Sequence, residues 1–505
     1  MKRLILTGFD LTLPDVRRVA QREVRASLSP AARRAMERSR RLVEKMARGG
    51  RRVYGVTTGF GKFADVSIPP DHMRELQRNL IVSHAAGVGS PLPDPVVRAM
   101  MVLRANALAR GESGIRVRTV ETLLAMPAAD VLPVVPEKGS VGASGDLAPL
   151  AHLALGLIGE GTARRNGRPL TAARALKAAR IRAVTLEAKE GLALINGVQM
   201  SVAVGGLALD RAVFLCGVAD VAGAASLDAA RGSDTAFDER IMEARPHPGA
   251  LASASNLRRL MRGSAIRESH RDCGRVQDNY ALRCMPQVHG AARDAFAHAV
   301  EVLEREMNSA TDNPLVFPRD GRILSGGNFH GAPVGLVLDY AAIAATDLAA
   351  ISERRIEKLL NPARSDLPAF LVREGGVNSG LMMGQVAAAA LVSECKVLAH
   401  PASVDSIPTS ADKEDHVSMS PIAARKLAAI VENLEQVLAI ELVAAFQAME
   451  FLRPLRSSAG IESVRRALRR VVPAWNEDRV MATDLSAARD FVRSDAMRNA
   501  VAQLK

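Results

Sequence analysis

Apolar residues recur every three or four positions through much of this chain, and polar caps mark where several of the runs begin. Residues 4–48 alternate short apolar pieces with Arg-rich helical ones, and Ser29-Pro30 pairs an N-cap hydroxyl with a first-turn proline. Asp94-Pro95 opens another helix, with Val96, Val97, Met100 and Leu103 as its apolar face. Leu147, Leu150, Leu153 and Leu157 have helical spacing behind Asp146, a residue suited to capping. Val300, Leu303 and Met307 trace a helix that Thr311-Asp312-Asn313-Pro314 stops. Ser420-Pro421 starts a long one, with Leu427, Ile430, Leu434, Val437, Leu438 and Leu442 close to one face. Long amphipathic helices need partners for these faces, so the pattern points to a helical bundle.

The breaks in periodicity are equally informative. Tyr54-Gly55-Val56-Thr57-Thr58-Gly59-Phe60-Gly61 holds three glycines among small and β-branched residues, which predicts a loop with a brief strand. A second interruption runs from Pro133 to Ala148. A short hairpin or connection is expected near Thr162–Leu170, and Thr171 then opens a helix-rich region. These breaks divide the chain near residue 200, into a mixed part (1–200) and a long-helix part (201–505). The apolar stretch Gly331–Ile351 contains Asp339 and Asp347, which are expensive in a bilayer, so it reads as a buried helix.

At 505 residues the chain is long enough for several domains or one large core with extensions. Hydrophobic residues make up 48% but aromatics only 3%, which favours helices packed through small and aliphatic side chains. Lys and Arg outnumber Asp and Glu by 67 to 54, a net charge of +13. No zinc-finger spacing or aromatic-basic interleaving accompanies it, so a solvated basic surface that draws anionic substrates is expected, with no nucleic-acid partner. Cys216, Cys273, Cys284 and Cys395 are widely spaced, as suits reduced thiols in a cytosolic protein. Met1-Lys2-Arg3 precedes only a brief apolar stretch, too short for a secretory core, and the expectation is a cytoplasmic protein without a membrane partner.

Candidate chemistry centres on Ala143-Ser144-Gly145. Small residues there allow the close backbone approach that self-cyclisation requires, although the step alone is more often a turn before a helix. The chain has three tyrosines, Tyr54, Tyr280 and Tyr340. Tyr280 and Arg283 share a face if their segment is helical, and Arg283 then either clamps a carboxylate or forms a structural ion pair.

The segment around this tripeptide resembles the aromatic amino acid ammonia-lyase family, and the similarity runs through most of the chain. The resemblance implies a mainly α fold, a long-helix bundle of the ammonia-lyase/fumarase-like type with a smaller mixed amino-terminal part. It implies that Ala143, Ser144 and Gly145 condense and lose water to make a 4-methylidene-imidazol-5-one group, without metal or nucleotide. Tyr54 would be the base, Tyr280 would orient the amine, and Arg283 and Asn196, in Leu194-Ile195-Asn196-Gly197, would hold the carboxylate. Gln277, Asn313 and Phe329 match the family's substrate-binding positions.

His84, Glu414 and Met382 look like the histidine-selective branch of the family. His84 and Glu414 would grip the imidazole nitrogens and leave unpaired polar groups against a hydrocarbon ring. By themselves His84 also fits an ordinary helix residue and Glu414 a surface charge. The chain departs from the branch in Asp412-Lys413 before Glu414, in Gly331-Ala332 after His330, in Asn361-Pro362 and in Val198. The implied reaction is elimination of ammonia from L-histidine to give trans-urocanate, in a homotetramer with sites built by more than one subunit. Tyrosine or phenylalanine ammonia-lyase and the related 2,3-aminomutases are the alternatives. A basic helical binding protein and a pseudoenzyme are the non-catalytic readings.

Overall fold

Strand Lys2–Leu6 pairs in parallel with Val24–Leu28, and helix Leu13–Ala20 connects them. The computed structural model describes residues 2–49, 52–274 and 276–504, so Met1 of the amino-terminal reading lies outside them. Ser29 caps as expected: its Oγ accepts the Ala32 N–H at 3.0 Å and starts helix Pro30–Arg48. Helix Asp94–Ala109 buries Val97, Met100 and Leu103, together with Arg104 and Asn106.

The expected hairpin is present as Thr162–Arg165 against Arg168–Thr171. Asn166 (φ 49°) and Gly167 (φ 76°) turn it in the left-handed region, the backbone that a two-residue hairpin with native twist requires. Val131–Pro133 adds a third strand beside it. The Tyr54 loop differs from expectation. Its brief strand reduces to one antiparallel bridge, Thr58 with Ser67, and a single 3-10 turn at Gly61–Phe63. Gly55 (φ 68°) and Gly61 (φ 54°) bend the chain too sharply for a ladder.

Four long helices follow: Gln199–Ala229, Met285–Met307, Ala332–Leu360 and Ser420–Glu450. Leu427, Ile430, Leu434, Val437, Leu438 and Leu442 are all buried. Helices Gln199–Ala229 and Ala332–Leu360 are long and apolar enough to cross a membrane, yet 72% and 67% of their most apolar windows are buried within the protein. Asp339 is buried and accepts the Ser403 N–H at 2.8 Å.

The described chain forms two compact units. The first comprises Met1–Asp210, Ala299–Asp339 and Pro401–Arg425, so it takes in the whole 1–200 part and adds two later stretches. It carries Tyr54, His84, Ala143-Ser144-Gly145, Asn196, Asn313, Phe329 and Glu414. The second comprises Arg211–His298, Tyr340–His400 and Lys426–Lys505, and carries Gln277, Tyr280, Arg283 and Met382. Buried charge organises this second unit. Glu441 accepts from Ser226 Oγ (2.7 Å), Ser352 Oγ (2.5 Å) and Arg355 Nε (2.5 Å), while Asp220 accepts from Asn256 Nδ2 and sits 2.8 Å from His289 Nδ1. Each carboxylate is thus saturated by partners, the condition under which a charge is tolerated inside a protein.

Candidate active site

The tripeptide lies between two residues that turn through positive φ, Gly142 (71°) and Gly145 (75°), the second being its own last member. Gly145 runs alongside Gly197, and the next residue, Asp146, donates its N–H to Gly197 O at 2.7 Å. A Cβ on Gly145 would stand 2.3 Å from that oxygen, so only glycine fits. On the entry side, Ser418 Oγ donates to Gly142 O at 3.0 Å and the Met419 N–H to Val141 O at 2.9 Å. Ala143 packs with Val417 and Met419. The backbone is gripped on both sides by contacts that a larger side chain would break. Such a cradle suits a self-made cyclic group.

Ser144 Oγ donates to Glu414 Oε1 at 2.9 Å, joining residues 270 apart in the chain. His84, the last residue of helix Met73–His84, feels the same carboxylate. Burial holds its ring below the usual imidazole value, opposed by the Leu80 carbonyl and the Glu414 charge. The structure therefore brings His84, Ser144 and Glu414 into one electrostatic neighbourhood.

Asp146 corrects one expectation. It occupies the N-cap position of helix Leu147–Ile158 but its side chain does not cap that helix. The carboxylate instead accepts the Ser201 N–H at 2.8 Å and Ser201 Oγ at 2.9 Å, satisfying an amide in the first turn of Gln199–Ala229. Burial outweighs these donors and pushes the Asp146 carboxyl up to about 6. Glu306 rises to about 7, mainly through burial and then through the Asp146 charge.

A raised carboxyl pKa means that the folded chain keeps its proton where the unfolded chain has lost it. The contribution is present at low pH and is lost as pH rises through the folded values. We expect wild-type stability to fall by about 2 to 3 kcal/mol from each of the two groups between about pH 4 and pH 7. Urea unfolding of wild type, Asp146→Asn and Glu306→Gln across that range checks it, with a flatter profile expected in both variants. An unchanged slope in both variants would contradict the assignment.

Asn196 ends helix Glu190–Ile195 and is buried. Its Nδ2 donates to Asn313 O at 3.1 Å, whereas Oδ1 is buried without a partner among the described residues, so part of its hydrogen-bonding capacity is unused there. Asn313 Oδ1 accepts the Gly326 N–H at 2.9 Å. Beneath them, Lys189 Nζ meets Asp312 at 2.7 Å, both fully buried, and Arg104 donates to Asn196 O at 2.7 Å. Burial lowers the Lys189 ammonium and brings Arg104 down to about 10, both against the Asp312 charge.

Tyr54 is half-buried, with its hydroxyl accepting the Gly61 N–H at 3.4 Å and its ring edge-on to Phe60. A Cβ at Gly55 would meet Leu192 and Pro314, which places this loop beside the Asn313 segment. Phe329 is half-buried between Asn328, whose Nδ2 donates to Ala310 O, and His330, which stacks on His416 at 5.8 Å.

In the second unit the helical spacing of Tyr280 and Arg283 is observed, in helix Tyr280–Arg283. The guanidinium lies 4.7 Å from the tyrosine ring centroid, and its buried Nε has no partner among the described residues. A half-buried cation with an unused donor suits an anionic ligand. Gln277 is exposed, and Met382 is the first residue of helix Met382–Leu398.

The aromatic amino acid lyase family model matches residues 11–470. The chain belongs to this family. A histidine ammonia-lyase of Koribacter versatilis is 54% identical over 98% of this chain and 98% of its own length. The crystal structure of histidine ammonia-lyase from Trypanosoma cruzi superposes with a TM-score of 0.93 at 43% identity, covering 99% of this chain and 95% of that one. A tyrosine aminomutase from Streptomyces globisporus reaches the same TM-score at 37% identity, covering 99% and 98%.

Two departures of this lyase from the histidine-branch pattern acquire a local reason. Asp412 is exposed at φ 62°, a left-handed position that Asp and Asn both tolerate. At Gly331 a Cβ would lie 2.4 Å from Ser420 Oγ and 2.7 Å from Ser418 Oγ, so glycine accommodates those hydroxyls. Sequence reasoning passed over Gly197, Ser418, Ser420 and Ser201, which shape the tripeptide's surroundings. Gly197 was within reach, as the neighbour of Asn196. Ser420 signals only a helix start, and Ser418 and Ser201 carry no local signal.

Proposed function

We propose that this protein eliminates ammonia from L-histidine to give trans-urocanate. The observation that carries the reading is the Glu414 carboxylate bonded to Ser144 at 2.9 Å, with His84 in its field. The 54% identity to a histidine ammonia-lyase supports it. The reaction breaks the Cα–N bond and a Cβ–H bond and forms the Cα=Cβ bond, with the proton leaving to a base and the nitrogen as ammonia.

The cradle around Ala143-Ser144-Gly145 fits a 4-methylidene-imidazol-5-one made from those residues. That group supplies an electrophilic carbon that turns the substrate amine into a competent leaving group. The remaining roles belong to side chains. Tyr54 removes the β-proton, and Glu414 orients the imidazole and exchanges a proton with it, with His84 beside it. Asn196 and Arg283 bind the carboxylate, Asn196 through the second N–H of the Nδ2 that donates to Asn313 O and Arg283 through its guanidinium. By the family resemblance Tyr280 orients the amine, and Gln277, Asn313, Phe329 and Met382 have substrate-binding roles. The family reading also makes the enzyme a soluble, cytoplasmic homotetramer.

The test is a panel of L-histidine, L-tyrosine and L-phenylalanine on the purified wild type. Urocanate and ammonia from histidine alone are expected. Cinnamates as the main products would move the protein to the phenylalanine or tyrosine branch, and β-amino acids would make it a mutase. Either outcome overturns the histidine reading.

A further inference from the structure

The Glu414 carboxylate is held asymmetrically. Its Oε2 accepts Thr409 Oγ1 at 2.7 Å and Ser410 Oγ at 2.9 Å, whereas Oε1 accepts Ser144 Oγ at 2.9 Å. The backbone closes the same short loop. Thr409 N–H donates to Glu414 O at 3.0 Å and Glu414 N–H to Thr409 O at 3.3 Å. Between them Ser410, Ala411 and Asp412 all take positive φ, 53°, 52° and 62°. Three successive left-handed residues, none of them glycine, persist only where surrounding bonds over-determine them. The two hydroxyls on Oε2 and the backbone bridge are those bonds.

We infer that Thr409 and Ser410 are positioning residues that immobilise Oε2 of Glu414, so that Oε1 alone is presented to the ligand. Oε1 holds the Ser144 hydroxyl in the uncyclised chain. That hydroxyl is the group that leaves as water when Ser144 is dehydrated. Its loss strips Oε1 of its donor while Oε2 keeps both of its own. An acceptor already aimed and already half-satisfied meets the N–H of an imidazole without having to reorganise, which is where preorganised electrostatics gain their advantage. This rests on the proposed reaction with histidine. It assigns the orientation of the key carboxylate to a loop six residues long (409–414).

The alternative is that the hydroxyls merely shape the loop, and coupling to Glu414 separates the two. In a Ser144→Ala background, which cannot make the methylidene carbon, titration calorimetry with L-histidine reads binding alone. Thr409→Val with Ser410→Ala is expected to weaken that binding about tenfold, the scale of hydrogen bonds to a charged group, and Thr409→Ser to retain it. In the chain with Ser144 intact the same pair should lower kcat about tenfold with intact mass unchanged. Introduced on top of Glu414→Gln, both effects should shrink to less than about twofold. Equal losses with Glu414 and with Gln at that position, or no loss in either, would overturn the inference. Failure of the wild type to release urocanate would overturn the histidine reading alone. The cycle is then read with the panel amino acid that is turned over, and additivity there overturns the positioning role.

Discussion

Ser144→Ala is expected to remain folded and to release urocanate from L-histidine about 10⁴-fold more slowly than the wild type, the scale on which removing an essential member of a catalytic unit acts. The substitution removes one oxygen. In the folded chain that oxygen makes a single described hydrogen bond, to Glu414, and Ser144 is half-buried, so the loss of stability should be only about 1 kcal/mol. The chemical effect is far larger, because this hydroxyl is the only one in the tripeptide that can leave as water to create the methylidene carbon. Intact mass separates the two effects. The wild type should be lighter than its sequence mass by the water expelled, and the variant should lack the share that Ser144 supplies. A variant with near-wild-type turnover would remove Ser144 from the mechanism.

Gly145→Ala should fail differently, by losing both maturation and stability. The added Cβ would meet Gly197 O at 2.3 Å and Gly197 C at 2.4 Å, and both are backbone atoms that no rotamer change can move. At φ 75° the alanine is strained as well. Together these should cost about 3 kcal/mol or more, and prevent the approach needed for ring closure. Gly167→Ala isolates the strain. Gly167 has φ 76° in the hairpin turn, and none of the described residues lies within 4 Å of its would-be Cβ. That variant should lose about 1 kcal/mol and keep full activity. Equal thermal shifts for the two variants would show that the contact with Gly197 does not matter.

Much of the architecture was legible because it depends on neighbours in the chain. Ser29, Asn166-Gly167 and Thr171 act within three residues of themselves, and they form the cap, turn and helix start that their chemistry predicts. The apolar face from Leu427 to Leu442 needed only period and burial. Asp146 shows where local reasoning stops. Its position at a helix start was readable, but its carboxylate serves Ser201, 55 residues on, because a buried amide there competes for it. The brief strand expected near Tyr54 failed for a related reason, since a strand needs a partner that its own residues do not specify.

The candidate site divides along the same line. The sequence determined which groups exist: a tripeptide small enough to cyclise, a tyrosine in a glycine loop, a Tyr-Arg pair on one helical turn, and a glutamate after a polar run. Tertiary structure alone decided that Glu414 meets Ser144 across 270 residues, that Gly197 crowds Gly145, and that Thr409 and Ser410 hold one oxygen of the carboxylate. Periodicity reports a residue's direction from its own helix or strand, whereas a hydrogen bond at 2.9 Å depends on where two distant backbones are brought together by packing.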